Sequence, residues 1–353
     1  MTLLQDSYDV ALLDLDGVVY IGEHAVPHAA EALQAARVAG MRLAFLTNNA
    51  ARPPEVVAAH LVDLGVDASA AEVVTSAQAA ARLLADQLPP GSRVLVVGGD
   101  GLNAALRERD LVPVRRLDDD PAAVVQGFHP DVGWRLLAEG SYAVASGLPW
   151  VASNLDRTVP TARGRAPGNG TLVDAVRAAT GREPVVAGKP EPPMHHEAVL
   201  RTGADRPLMA GDRLDTDIEG ANRVGVDSLL VLTGVTAPVD LVLAAPELRP
   251  TYVGRDLRAL QHPPESHAVA VGASRFGRWA AEYDAGELRL RRTDGSVPGG
   301  AGANANHGTL AGAGIDATDD GLDALRALCG AAWAVHTVDE SSARTALAAA
   351  GWK

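Results

Sequence analysis

The chain reads as an α/β protein: a doubly wound, parallel-sheet, Rossmann-like core with an α/β cap domain inserted into it and a small α+β domain at the C-terminus. Three observations predict this. Over the first 65 residues, short and fully apolar runs alternate with helical stretches, as expected of strands covered on both faces. The same alternation returns after Pro207. Between these halves, residues 84–185 carry a strand-helix alternation of their own.

Taken in order, Val10–Leu13 is the first strand. Pro27 opens a helix and Gly40 closes it, following the preference of proline for a first helical turn and of glycine for the position past the last. Leu43–Leu46 is the second strand, and Glu55–Leu64 a second helix ended by Gly65. Parallel strands joined through a helix make a right-handed β-α-β unit. In the inserted segment the pattern predicts strands at Arg93–Val97, near Val124–Gly127 and at Tyr142–Ala145, with helices from Leu102 and through Trp134–Leu137. The core then resumes with a strand at Pro207–Ala210, a helix at Ile218–Val224 and a strand at Ser228–Leu232. Residues 1–83 and 186–261 are thus assigned to the core, 84–185 to the cap and 262–353 to the C-terminal domain. Within the last, His262–Ser266 reads as a linker, Gly299–Gly314 as a Gly/Ala/Asn-rich loop, and Leu322–Val335 and Ser341–Ala350 as helices.

A chain of 353 residues can bury two or three such units. The formal net charge of −13 argues against nucleic acid as a partner, since like charges repel outside a local basic patch. The densest basic patch, Arg289, Arg291 and Arg292, alternates with leucines and reads as the wet side of a strand. With the single cysteine Cys329 no internal disulfide can form, which points to a reducing compartment, and its Ala/Leu-rich surroundings predict an inert buried thiol. No basic, apolar leader opens the chain, and no apolar run approaches the roughly 18–20 residues of a membrane helix, so a cytoplasmic protein without membrane insertion is expected.

Four short motifs carry chemistry: Asp14-Leu15-Asp16-Gly17, Thr47-Asn48-Asn49, Gly188-Lys189-Pro190, and the run Gly211-Asp212 to Asp217. Asp-x-Asp pairs also occur at Asp118/Asp120 and Asp215/Asp217, so the first motif is not distinctive by itself. What separates Asp14 and Asp16 is the apolar strand before them and the glycine after. Carboxylates at the end of a buried strand are costly unless a cation neutralises them. Ligands of open parallel sheets bind beyond the carboxyl ends of the strands, where three of the four motifs lie. Taken singly, Thr47-Asn48-Asn49 would suit a helix cap and Gly188-Lys189-Pro190 a turn; their ordered occurrence together makes coincidence improbable.

An alkyl phosphate needs a nucleophile, a proton for its basic leaving oxygen, and cations to screen its charge. Asp14 is the candidate nucleophile, forming an acyl phosphate. Asp16 is the candidate acid, which then activates the hydrolytic water. Mg²⁺ favours hard oxygens and few protein ligands; Asp14, the backbone carbonyl of Asp16, and Asp212 would suffice, with Asp217 orienting a metal-bound water. Thr47 offers a hydroxyl to the transferred phosphoryl group, the backbone N–H groups around Asn48 and Asn49 add donors, and Lys189 balances charge.

This ordered set resembles the haloacid dehalogenase superfamily of phosphatases, in the subfamily (type IIA) whose large cap lies between the second and third motifs. The stretch Asp14-Leu-Asp-Gly-Val-Val-Tyr-Ile-Gly-Glu-His-Ala-Val-Pro-His28, Leu46-Thr-Asn-Asn49, Gly188-Lys-Pro190 and Gly211-Asp-Arg-Leu-Asp-Thr-Asp-Ile218 carry the resemblance, which covers about residues 8–255. An acid at Asp16 favours the phosphatases over the dehalogenases and P-type ATPases of the superfamily. The resemblance implies a small phosphomonoester as substrate, with glycerol 3-phosphate preferred and phosphoglycolate or a sugar phosphate as alternatives. Cap-mediated homodimers are common in the resembled subfamily. Ala152-Ser-Asn154-Leu-Asp156 also resembles a subfamily segment, which puts Asn154 and Asp156 near substrate. Val96-Val-Gly-Gly-Asp-Gly101 lacks the full dinucleotide-loop spacing and reads as a strand-to-helix turn. His195 and His196 have no partner ligands at useful spacing and read as surface residues. The C-terminal domain suggests a reduced acetyltransferase-like fold without the pyrophosphate loop that would hold coenzyme A; a structural, dimerising or regulatory role is expected over acyl-CoA binding.

Overall fold

The computed structural model describes residues 2–161, 163–294, 320–335 and 337–352; the expected loop Gly299–Gly314 lies outside them. By backbone contacts the chain divides into two compact units.

One unit comprises Val10–Leu15 and Arg42–Pro207. Its parallel strands Val10–Asp14, Arg42–Thr47 and Val73–Thr75 lie side by side, with Asp14 opposite Leu46 and Thr47 opposite Thr75. The first two are almost wholly buried, which explains their unbroken apolar runs. Both run one residue further than the apolar pattern shows, so Asp14 and Thr47 are the last residues of their strands. The helix Ser76–Ala85 starts on a capping box, in which the Gln78 N–H donates to Thr75 Oγ1 and the Thr75 N–H to Gln78 Oε1.

The same unit holds a five-stranded parallel sheet in the order Val185–Val186, Trp150–Ala152, Ala123–Gln126, Arg93–Val97, Val112–Val114. Here one expectation fails. Tyr142–Ala145 is not a strand but the last turn of the helix Trp134–Ala145, and the strand comes later, at Trp150–Ala152. Four apolar residues suit a buried helical turn as well as a strand, and Gly140 sits inside the helix without ending it.

The other unit comprises Met1–Asp9, Asp16–Met41 and Leu208–Lys353. Its strands Pro207–Gly211, Asp227–Val231 and Tyr252–Gly254 pair in parallel in that order. Between the first two, a π-turn at Leu214–Ile218 runs into the helix Glu219–Arg223. An antiparallel sheet of Arg275–Phe276, Trp279–Asp284 and Glu287–Arg292 follows, with the helices Asp320–Trp333 and Glu340–Ala349. These C-terminal elements have no core of their own. Trp279, Leu288, Leu325, Leu328, Trp333 and Leu347 share one apolar cluster with Leu230, Leu241 and Val253. The expected linker packs likewise: just past it, His267 is buried and the chain pairs with Thr251 and Val253. Arg289 and Arg291 are exposed as expected, whereas Arg292 turns inward and places its guanidinium 4.9 Å from the Trp279 ring centroid. No helix among the described residues is long and apolar enough to cross a membrane.

Candidate active site

In the first unit, Lys189 Nζ lies 2.5 Å from Asp14 Oδ1. The lysine side chain is 2% exposed and the aspartate 14%, so this ammonium is almost out of water and depends on a fixed anion. Asn48 fastens the lysine loop: its Nδ2 donates to the Lys189 carbonyl at 3.1 Å, and its Oδ1 accepts the Lys189 N–H at 2.9 Å. The Asn48 carbonyl in turn accepts from Ser76 Oγ and from Asn154 Nδ2, each at 2.6 Å. Asn154 is buried, and its Oδ1 accepts the Asp156 N–H at 3.1 Å in an Asx-turn. Thr47 Oγ1 accepts the Asn49 N–H at 3.1 Å, and Asn49 Oδ1 the Ala51 N–H at 2.8 Å. Thr47-Asn48-Asn49 is therefore not a helix cap; the next helix starts at Pro54, behind Pro53.

In the second unit, Asp16 is exposed and Gly17 donates its N–H to Tyr20 O at 2.8 Å. Asp212, directly after the strand end at Gly211, is fully buried. Its Oδ2 accepts the Val235 N–H at 2.6 Å, and its carbonyl accepts Thr236 Oγ1 at 2.6 Å. The backbone approaches this carboxylate closely. A Cβ on Gly234 would lie 1.9 Å from Asp212 Oδ2, and one on Gly17 2.4 Å, so neither position admits a side chain. Asp217 is also buried, its Oδ2 accepting the Arg213 N–H at 3.1 Å. The neighbouring Asp215 instead faces solvent and pairs with Arg213, whose guanidinium holds its carboxyl below the usual range. Asp118 is 81% exposed and carries no site. The donors are all hard oxygens, the set that suits Mg²⁺, and a carboxylate as buried as Asp212 calls for a cation.

The motifs leave several groups unnoticed, which nothing in local spacing marks: Ser76, Val235 and Thr236, and also Thr233, whose Oγ1 donates to the Gly17 carbonyl at 2.6 Å. The paired histidines need a correction. His196 is exposed, but His195 is fully buried in the helix Pro192–Thr202. Burial, reinforced by the Lys189 ammonium, pushes its pKa down from 6.5 to about 3. The folded state then binds fewer protons than the unfolded one between these values. The stability that neutral His195 contributes is complete above about pH 6.5 and declines by up to about 1.4 kcal/mol per unit as pH falls towards 3. Thermal unfolding of wild type and His195→Leu between pH 7 and 5 is expected to show a shallower acid decline in the variant; equal slopes would remove the effect.

Comparison with known proteins places the chain in a family. A model of haloacid dehalogenase-like hydrolases matches residues 11–112, and a second, HAD-hydrolase-like model matches residues 186–260. The chain is 44% identical over 339 residues to the D-glycerol 3-phosphate phosphatase of Mycobacterium tuberculosis, covering 96% of this chain and 90% of that one. It is 36% identical over 252 residues to the acid sugar phosphatase of Staphylococcus aureus, covering 71% and 95%. Among solved structures, a glycerol phosphate phosphatase from M. tuberculosis in complex with magnesium superposes with a TM-score of 0.85 at 42% identity, covering 99% and 98% of the two chains.

Proposed function

Because the chain belongs to the haloacid dehalogenase-like hydrolases, we propose that it is a Mg²⁺-dependent phosphatase that hydrolyses glycerol 3-phosphate through a phosphoester on Asp14. The observation that carries the covalent step is the buried Lys189 ammonium at 2.5 Å from Asp14 Oδ1. A carboxylate held ionised beside a fixed cation can attack a phosphoryl group whose negative charge that cation also screens.

Asp14, the Asp16 carbonyl and Asp212 would hold the metal, with Asp217 orienting a water bound to it. When bound, Mg²⁺ lowers the charge of the phosphoryl oxygens. Asp14 forms the new P–O bond while the bond to the glycerol oxygen breaks, and Asp16 donates a proton to that oxygen. Asp16, now a carboxylate, takes a proton from the water that attacks the phosphorus. The acyl phosphate then separates into phosphate and free Asp14. Thr47 Oγ and the N–H groups around Asn48 and Asn49 receive the phosphoryl oxygens. Residues 84–185 act as the cap that selects the alcohol, with Asn154 and Asp156 near it. The net charge of −13 supports a small-molecule substrate rather than nucleic acid, and the single buried cysteine supports a cytoplasmic location. A homodimer, as is common in this subfamily, is the assembly we assign. The apolar cluster shared with Leu230 and Val253 supports a structural role for residues 262–353.

The substrate is tested by kcat/KM for glycerol 3-phosphate beside phosphoglycolate, sugar phosphates and nitrophenyl phosphate. Glycerol 3-phosphate should rank first, and a sugar phosphate ahead of it would overturn the assignment. Asp16→Asn separates the two half-reactions. Loss of general acid catalysis should slow glycerol 3-phosphate by about 10²–10⁴-fold. Nitrophenyl phosphate, whose leaving group departs without a proton, should still release one burst of nitrophenol per site before stalling. Absence of the burst would remove Asp16 from the role of acid.

A further inference from the structure

The five-stranded sheet has a topological switch point. From Arg93–Val97 the chain passes to its neighbour Val112–Val114, then returns to Ala123–Gln126 on the other side and continues outward to Trp150–Ala152. In open parallel sheets, the crevice beyond the carboxyl ends of the two strands flanking such a reversal is where ligands bind. A cavity of about 820 Å³ opens at this place, lined by Gly98 and Gly99 after one strand and by His129 after the other. That volume is within the usual range of small-molecule sites, roughly 300–1,000 Å³. A Cβ on Gly99 would lie 2.3 Å from the His129 ring, so glycine keeps the two strand ends this close.

The chemistry of the walls is specific. Arg115 is anchored at the cavity by Nη1, which donates to the carbonyls of Val96 at 3.1 Å and Gly98 at 2.7 Å. Arg135 lines the same space. The carboxylates there are already engaged: Asp100 Oδ1 accepts from Asn103 Nδ2, Glu139 Oε2 accepts the Leu117 N–H, and Asp131 lies 3.7 Å from His129 Nδ1. The three carboxylates keep their charge and offset those of Arg115, Arg116 and Arg135, so what the walls offer a phosphate is a set of guanidinium hydrogen-bond donors rather than a net positive charge. Beside them stands Trp134, 77% exposed, while Trp150, Trp279, Trp333 and Trp352 are all buried. An indole left in water next to guanidinium groups offers a stacking face to a planar ring.

We propose that this crevice is a second ligand site, separate from the phosphoryl site at Asp14, and that it takes a nucleoside monophosphate, with the phosphate on Arg115 and Arg135 and the base against Trp134. The site stands whether or not Asp14 is the nucleophile.

The test uses the full chain carrying Asp14→Asn, with Mg²⁺ and saturating glycerol 3-phosphate, titrated with AMP by calorimetry and by tryptophan fluorescence. One AMP per chain is expected, with saturable quenching that disappears in Trp134→Phe. Adenosine without its phosphate should bind at least about tenfold more weakly. In the otherwise wild-type chain, Arg135→Ala should weaken AMP by a similar factor and leave phosphatase turnover unchanged. Absence of saturable binding up to millimolar AMP overturns the proposal. So does AMP binding that glycerol 3-phosphate displaces and Arg135→Ala does not touch, which would put the nucleotide in the phosphoryl site. Adenosine binding as tightly as AMP would overturn the anionic part.

Discussion

Asp14→Asn is expected to lower kcat for glycerol 3-phosphate on the order of 10⁵-fold, equivalent to about 7 kcal/mol of transition-state stabilisation, and to lower thermal stability as well, since a buried ammonium loses its anion. The amide is nearly isosteric with the carboxylate but is a poor nucleophile, so the covalent path closes and only metal and hydrogen-bond polarisation remain. It also leaves the Lys189 ammonium, 2% exposed, facing a neutral amide in place of its 2.5 Å partner. The measurement is Mg²⁺-dependent phosphate release together with acid-quench trapping of ³²P-labelled protein. Wild type should carry acid-stable label that hydroxylamine removes, and Asp14→Asn none. A variant that keeps wild-type turnover would falsify the covalent mechanism outright.

Glu197→Ala should cost about 3–5 kcal/mol of folding stability, as expected when one partner is removed from a buried ionic cluster. Glu197 is fully buried in the helix Pro192–Thr202, where it meets three guanidinium groups: Arg82, Arg109 at 2.8 Å and Arg201 at 2.5 Å. Arg201 also reaches Glu108 at 2.6 Å. Burial pushes the Glu197 carboxyl up, but hydrogen bonds from Arg82 and Arg201 prevail and hold it below its usual 4.5. Its folded value is depressed, so its contribution is present at neutral pH and is lost as pH falls through that lowered value. Without it, three partly covered cations face one another across helix ends that Glu197 had joined. Chemical denaturation at pH 7 measures the loss. A change under about 1 kcal/mol would mean that the cluster behaves as exposed ion pairs do.

Much of the candidate site's layout was legible because its residues sit where buried strands end. Val10–Asp14 and Arg42–Thr47 are covered on both faces, so their apolar runs show in one dimension and their polar last residues stand out. What did not show depends on distant neighbours. Asn48 reads as a phosphate-loop residue, yet its side chain is turned to the Lys189 backbone 141 positions away, a contact no local pattern records. His195 is polar and sits beside another histidine, which suggested solvent, whereas helix Pro192–Thr202 buries that face. Tyr142–Ala145 misled for the opposite reason: apolar on every position, it carries no period that separates a strand from the end of a helix.

Cys329 is the only thiol of the chain, and it lies fully buried in the C-terminal apolar cluster, with desolvation pushing its pKa far up. To a thiol reagent the folded protein is therefore silent. Any cysteine placed on the surface can be labelled as the sole reactive group, without first removing the native one. Cys329 itself becomes a clock: its labelling under native conditions counts the openings of the cluster that joins residues 262–353 to the strands bearing Leu230 and Val253.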